Sequence, residues 1–260
     1  MELTHFFELP IYVLFVIIFL LIVCSSWLGF KYKKKQIEKD PNEAKQSAGI
    51  VEGSTFGVLS LLMGFTFSVA ITKFEAQRRI LVQEATYIKT AVLRSQMYSD
   101  SVRVLFRNDF KDYIEPRISY YKSRGDNDFI ETINKATIIS DKIWKRAIDE
   151  SKKPENVVRT AQMIPALNNM IEAVVSRDSE RVSHVPPLVL WVLLTLILLG
   201  AFLVGADASA KKRNKLPVFS YALVMSVTLN LIIELNQPGT GLINFDAVQQ
   251  KIIDLRALTR

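Results

Sequence analysis

Four apolar stretches free of Asp, Glu, Lys, Arg and His, at 9–30, 53–72, 185–206 and 216–233, dictate most of what this chain can become. They come as two pairs, separated by a charged segment of about 110 residues. A helix rising 1.5 Å per residue needs roughly 20 residues to cross a hydrocarbon core of about 30 Å, and each stretch is close to that length. Four transmembrane helices are therefore expected, with the charged segment held outside the bilayer. The domain reading is 1–73 for the first two membrane helices, 74–184 for an extramembrane domain, 185–236 for the last two membrane helices, and 237–260 for an amphipathic C-terminal tail.

The chain has 33 basic and 26 acidic residues, a formal net charge of +7. Ten of the basic residues lie in two short segments beside membrane spans: Lys31, Lys33, Lys34, Lys35, Lys39 and Lys45 in loop 31–46, and Lys211, Lys212, Arg213 and Lys215 in loop 207–215. Short basic loops stay in the cytoplasm, so the surplus marks topology rather than nucleic acid. Both loops are expected inside, both termini and the charged segment outside, in the cell (inner) membrane. Membrane-proximal Lys73, Arg78 and Arg79 pull the other way. A single cysteine, Cys24, sits inside the first stretch, which excludes a disulfide framework or a cysteine metal cluster. The first stretch lacks the basic start of a cleaved signal peptide and reads as a retained helix.

The segment between the spans reads as helical. No Gly or Pro occurs between Gly64 and Pro116, so the second span is expected to continue as a long helix beyond the bilayer. Ile71, Phe74, Arg78, Leu81, Val82, Ala85, Ile88 and Val92 form a largely i, i+3, i+4 stripe, with Glu75 placed to meet Arg78 and Arg79. Further stripes follow: Val102, Leu105, Phe106, Phe110 and Tyr113; Phe129, Ile133, Ile138, Ile143 and Trp144; Met163, Leu167, Met170, Ile171 and Val174. Breaks are expected near Pro116, at Gly125 with Asp126 and Asn127, near Pro154, and at Pro186 and Pro187. The fold class is an all-α membrane protein, with a bundle of long helices inserted between the second and third spans.

The uncharged spans disfavour a proton-coupled pump, which needs ionisable groups at membrane depth, but leave a passive pore open. In the second span Gly53, Gly57, Ser60, Gly64 and Ser68 share one helix face. Two readings stand. Small residues allow close helix packing, the role given to Gly53 and Ser60. Alternatively the small face leaves room around a pore, with Gly57, Gly64 and Ser68 lining it and Leu61 and Phe65 narrowing it into an apolar constriction. Glu84, beside Arg78, Arg79 and Lys89, reads either as a helix-surface ion-pair site or as a charge tuning a pore vestibule. His5 and His184 lie at membrane boundaries without metal-ligand spacing, and Asn230 is placed to hydrogen-bond across helices. Trp27 and Trp191 suit interfacial or lipid-facing anchoring, and Gly239 and Gly241 after Pro238 suggest a turn at the membrane surface. No nucleophile–base pair, phosphate loop or dinucleotide fingerprint is present, and no enzyme, cofactor or metal is expected.

Three blocks carry a resemblance. The first is Glu52-Gly53, then Leu61-Leu62-Met63-Gly64-Phe65-Thr66-Phe67-Ser68-Val69-Ala70, Lys73-Phe74, Arg78-Arg79 and Glu84-Ala85. The second is Leu167-Asn168, Ile171-Glu172, Arg177 and His184-Val185-Pro186; the third runs from Glu234 to Gly241. Together they resemble the bestrophin-like family of bacterial membrane proteins. Met63-Gly64-Phe65 followed by Thr72-Lys73-Phe74 is similar to the pore helix of true bestrophins, which implies an oligomeric, pentameric, anion-conducting channel with small inorganic anions as cargo. Gly57 stands where bestrophins carry a bulky apolar neck residue, Phe74 where they carry tryptophan, and their acidic calcium clasp has no counterpart here. The resemblance also implies a cytosolic helical domain, against the lysine count. The function expected is an oligomeric passive ion channel, more for anions than cations. The alternative is a non-conducting sensor or scaffold whose helical domain binds a partner.

Overall fold

The computed structural model describes residues 5–40, 49–122, 126–182, 185–210, 216–239 and 241–260. Those residues form eight α-helices, joined by 3-10 turns and short connections, with no strand among them: α1 (Ile11–Lys39), α2 (Gly49–Ser95), α3 (Asp100–Lys122), α4 (Asp126–Ser151), α5 (Val157–Val182), α6 (Pro187–Ala210), α7 (Leu216–Asn236) and α8 (Asp246–Ile253). Four of them, α1, α2, α6 and α7, are long and apolar enough to cross a membrane. The chain divides into two compact units: Met1–Phe74 with His184–Asn244, and Glu75–Ser183 with Phe245–Arg260. Phe245–Arg260, set apart above as part of a tail, thus belongs to the second unit.

The first unit packs α1, α6, α7 and the first half of α2 around Leu14, Ile18, Ile22, Leu59, Met63, Leu193, Ile197, Ala201, Leu229 and Ile232. In a membrane, close approach rather than hydrophobic exclusion drives helix association, so small residues decide where helices cross. Here they do so between α1 and α6. A Cβ on Gly29 would collide with the Phe202 backbone, and one on Gly205 with the Ser26 backbone. Ser25 Oγ donates across the same crossing to the Leu198 carbonyl at 2.7 Å. Tyr221 of α7 fills the space that Gly200 of α6 leaves and donates to the Ile197 carbonyl at 2.9 Å. Trp191 packs against Phe6 and Phe7, and exposed Trp27 carries the Lys31 ammonium 3.8 Å above its ring.

One expected loop is largely helix. Lys31 to Lys39 continue α1, because Lys, Gln and Glu are strong helix formers and no breaker intervenes. The helix stops at Asp40, whose extended backbone (φ −140°, ψ 109°) is what a following proline imposes. Lys45 and the basic residues 211–215 lie outside the described residues.

The second unit is a helical bundle around Ile88, Val92, Phe106, Phe110, Tyr113, Ile114, Ile143, Ala147, Met163, Leu167 and Met170, closed by Ile252 and Leu255. Three expectations need correction. The break near Pro116 does not occur: Pro116 lies inside α3. The helix forgoes one hydrogen bond there because buried Tyr113, Ile114, Arg117 and Ile118 hold the flanking turns in place. A break unanticipated from sequence ends α2 at Ser95, where the Gln96, Met97 and Tyr98 amides close tight turns onto Leu93, Arg94 and Ser95. Leu105 and Ile138, members of the apolar stripes read from sequence, are exposed. The inward positions of α4 are Ala136, Ser140, Ile143 and Ala147, a spacing that turns Ile138 to the opposite side. Gly125 and the side chain of Phe129 lie outside the described residues.

Candidate functional site

Along the first part of α2 the seven small-face and neck candidates fall within an arc of about 140° at 100° per residue. All seven, Gly53, Gly57, Ser60, Leu61, Gly64, Phe65 and Ser68, are exposed on the isolated chain. Leu61 and Phe65 are 59% and 63% exposed. A Cβ added to Gly53, Gly57 or Gly64 would meet nothing within 4 Å. The opposite side of the helix, Leu59, Met63, Thr66 and Ala70, is the buried one. The small face therefore packs against no other helix of its own chain among the described residues, and the close crossings lie instead at Gly29 and Gly205.

Of the membrane-proximal charges, Lys73 is half-buried, Arg78 is exposed and pairs with Glu75 at 3.5 Å, and Arg79 is exposed. Glu84 departs from the surface pairing expected with Arg78 and Arg79. Its side chain is fully buried in the second unit, accepting from Arg117 Nε at 2.5 Å and from Arg177 Nη1 at 2.7 Å. The reason is register: Leu81, Glu84, Ala85 and Ile88 share the inward face of α2, so Glu84 must enter the bundle. Tyr120 lies against both guanidinium groups, 4.7 Å from Arg117 and 4.1 Å from Arg177, and its hydroxyl donates to Asp178 Oδ1 at 2.6 Å. Burial, Asp178 as hydrogen-bond acceptor and the field of Asp178 push the Tyr120 hydroxyl well above its ordinary range. A second cluster pairs buried Asp109 of α3 with Arg146 at 2.7 Å and Lys142 at 2.8 Å, both from α4.

Arg117 and Arg177 were not singled out for this role from sequence, yet a signal existed. Arg117 continues the buried positions Phe106, Phe110 and Tyr113, and Arg177 continues Met163, Met170 and Ala173. Charges in phase with an apolar stripe mark buried partners.

After the fourth span the Glu234–Gly241 block closes a turn. Ile243 N donates to Glu234 Oε1 at 2.5 Å, and Val185 N donates to Asn236 Oδ1 at 2.6 Å. Gly239 has φ +100°, and a Cβ on Gly241 would run into the Glu234 carboxyl and Ile11. Asn230 Oδ1 is buried without a partner among the described residues, so this oxygen makes no bond across helices within the chain. The side chain of His5, and all of His184, lie outside the described residues. No group of three His, Cys, Asp or Glu gathers as a metal site among the described residues.

The family model for the Bestrophin-like domain matches residues 16–246. The fold is similar to a bacterial bestrophin homologue from Klebsiella pneumoniae, with a TM-score of 0.71 at 11% identity, covering 93% of this chain and 98% of that one. A single-site variant of the Klebsiella pneumoniae homologue matches with a TM-score of 0.69 at 11% identity over 95% and 98% of the two chains. No curated protein matches significantly. The chain is a membrane protein that belongs to the Bestrophin-like family.

Proposed function

We propose that the protein is the subunit of an oligomeric, passive ion channel of the inner membrane, conducting anions in preference to cations. The observation that carries this reading is the open face of α2: small residues at Gly57, Gly64 and Ser68 beside exposed Leu61 and Phe65, a face covered by no other helix among the described residues. Around a symmetry axis that face gives a wide stretch interrupted by apolar side chains, which gate by dewetting. Gly53 and Ser60, at one edge of the arc, take the contact with an adjacent copy. Lys73, Arg78 and Arg79 supply positive charge at the membrane-proximal end of the path, which raises local anion concentration. The short basic segments after the first and third spans lie in the cytoplasm and the termini outside, following their lysine content.

The test is ion flux from liposomes holding the purified protein, with chloride and potassium gradients and a Phe65→Ala variant in parallel. Flux that rises in the variant supports a pore with its constriction on α2. Flux equal to empty liposomes in both would favour a non-conducting sensor or scaffold.

A further inference from the structure

Where α2 ends at Ser95, the second unit has a pocket of about 310 Å³ between the last turn of α2, the first turns of α3 and the C-terminal segment after α8. That volume lies at the lower end of the roughly 300–1,000 Å³ typical of small-ligand sites. Val92 and Leu258 give the pocket an apolar wall, Gln96 adds a side-chain amide, and Arg103, Arg107 and Arg260 bring three guanidinium groups to it. No carboxylate side chain is among the lining residues.

Register sets the first two cations there. Val102, Phe106 and Phe110 bury one side of α3, which turns Arg103 and Arg107, one turn apart, toward the exposed side. Like charges four residues apart repel and weaken a helix, so the pair gains from an anion between them. Arg103 is bonded to Asp100, whose side chain is 89% exposed, and so exposed a pair holds a guanidinium only weakly. Arg107 Nη1 donates to the Arg260 carbonyl at 3.3 Å, which ties the C-terminal segment to the pocket. Against three cations stands the carboxylate of Asp100; with a carboxylate at Arg260 counted as well, one positive charge is left over. A guanidinium carries five N–H donors in a planar fork, which matches the oxygens of a phosphate group in pairs. A lone halide would use the charge but neither the forks nor the apolar wall.

We infer that this pocket binds a phosphate group carried on a small organic body, with the phosphate held by Arg103, Arg107 and Arg260 and the body against Val92 and Leu258. The site is built from the second unit alone, and its occupancy does not depend on whether the protein conducts.

The experiment is isothermal titration calorimetry of the full chain in detergent, with phenyl phosphate and with inorganic phosphate as probes, at an ionic strength held constant with sodium gluconate. Expected is saturable binding of one phenyl phosphate per chain, tighter than that of inorganic phosphate. Arg103→Gln and Arg107→Gln should each weaken it about tenfold, the loss of one charge-assisted hydrogen bond. Asp100→Asn releases Arg103 while keeping a residue suited to a helix start, and should tighten binding, a direction that damage to the fold would not produce. Circular dichroism checks that each variant is folded; if Arg107→Gln is not, Arg103→Gln and Asp100→Asn decide. Equal affinity for the two probes would overturn the assignment to an organic phosphate. No saturable binding of either probe, or one affinity shared by the parent and the folded variants, would overturn the site itself.

Discussion

Arg117 Nε donates to Glu84 Oε1 at 2.5 Å, with both side chains wholly withdrawn from solvent, and Arg177 closes the other carboxylate oxygen at 2.7 Å. Three helices, α2, α3 and α5, are thereby joined by one carboxylate. Breaking a buried pair from one side costs about 3–5 kcal/mol, because the remaining charge stays buried and uncompensated. Glu84→Gln should destabilise by that order, measured by denaturant or thermal unfolding in detergent followed by circular dichroism. A change under about 1 kcal/mol would mean that the guanidinium groups reach solvent when the carboxylate is lost.

The surface pair of Arg256 with Glu115, at 2.6 and 2.8 Å, allows a test of pH dependence. The hydrogen bonds from Arg256 hold the Glu115 carboxyl below its ordinary 4.5, against a small opposing effect of burial. A group whose folded-state value is depressed contributes stability that is present above its unfolded value and is lost as the pH falls through the folded one. Arg256→Gln should therefore lower the unfolding temperature at neutral pH by a small amount, since exposed pairs contribute at most about 1 kcal/mol. The difference from the parent should begin to shrink as the pH drops past 4.5 and should vanish below the depressed value. A difference independent of pH would assign the effect to packing of the C-terminal segment instead.

The four spans were legible because a run without charge over about 20 residues has few alternatives. Long helices between them were legible from apolar spacing, as Ile88 and Val92, or Phe106, Phe110 and Tyr113, show. Other features required the tertiary structure. Pro116 reads as a breaker, yet buried neighbours on both sides hold α3 through it. The end of α2 at Ser95 carries only Ser and Asp nearby, a weak stop compared with Gly or Pro. Glu84 reads from sequence as a surface ion pair, because nearby helical neighbours are visible in a sequence and partners 33 and 93 positions away are not. At the candidate pore, spacing puts the small residues on one face; that the face is uncovered among the described residues emerges only from the packing of the opposite side at Leu59, Met63 and Ala70.

Glycines at the two kinds of position should respond oppositely to the same change. At Gly205 a Cβ meets the Ser26 carbonyl, so Gly205→Ala must push α1 and α6 apart, at about 1–3 kcal/mol, the usual cost of overpacking. At Gly53 nothing lies within 4 Å, and Gly53→Ala should leave subunit stability unchanged or raise it by up to about 1 kcal/mol through helix propensity. Unfolding of both variants in detergent, under conditions that keep the chain monomeric, makes the comparison. Similar destabilisation in both would contradict the open environment of the α2 face.

Gly57→Leu separates the function of that face from its fold. The position is exposed, one turn before Leu61, and outside its own helical turn a Cβ there would meet nothing within 4 Å among the described residues. A leucine should thus be accommodated by the subunit with no loss of stability. In an assembled channel it would add a second apolar ring next to Leu61 and lengthen the dewetted stretch. Flux in reconstituted liposomes should fall severalfold while unfolding temperature and assembly size stay at parental values. Flux at the parental level, with assembly intact, would move the conducting path to another face of α2. A smaller assembly would instead place Gly57 at the contact between copies, where only small residues permit close approach.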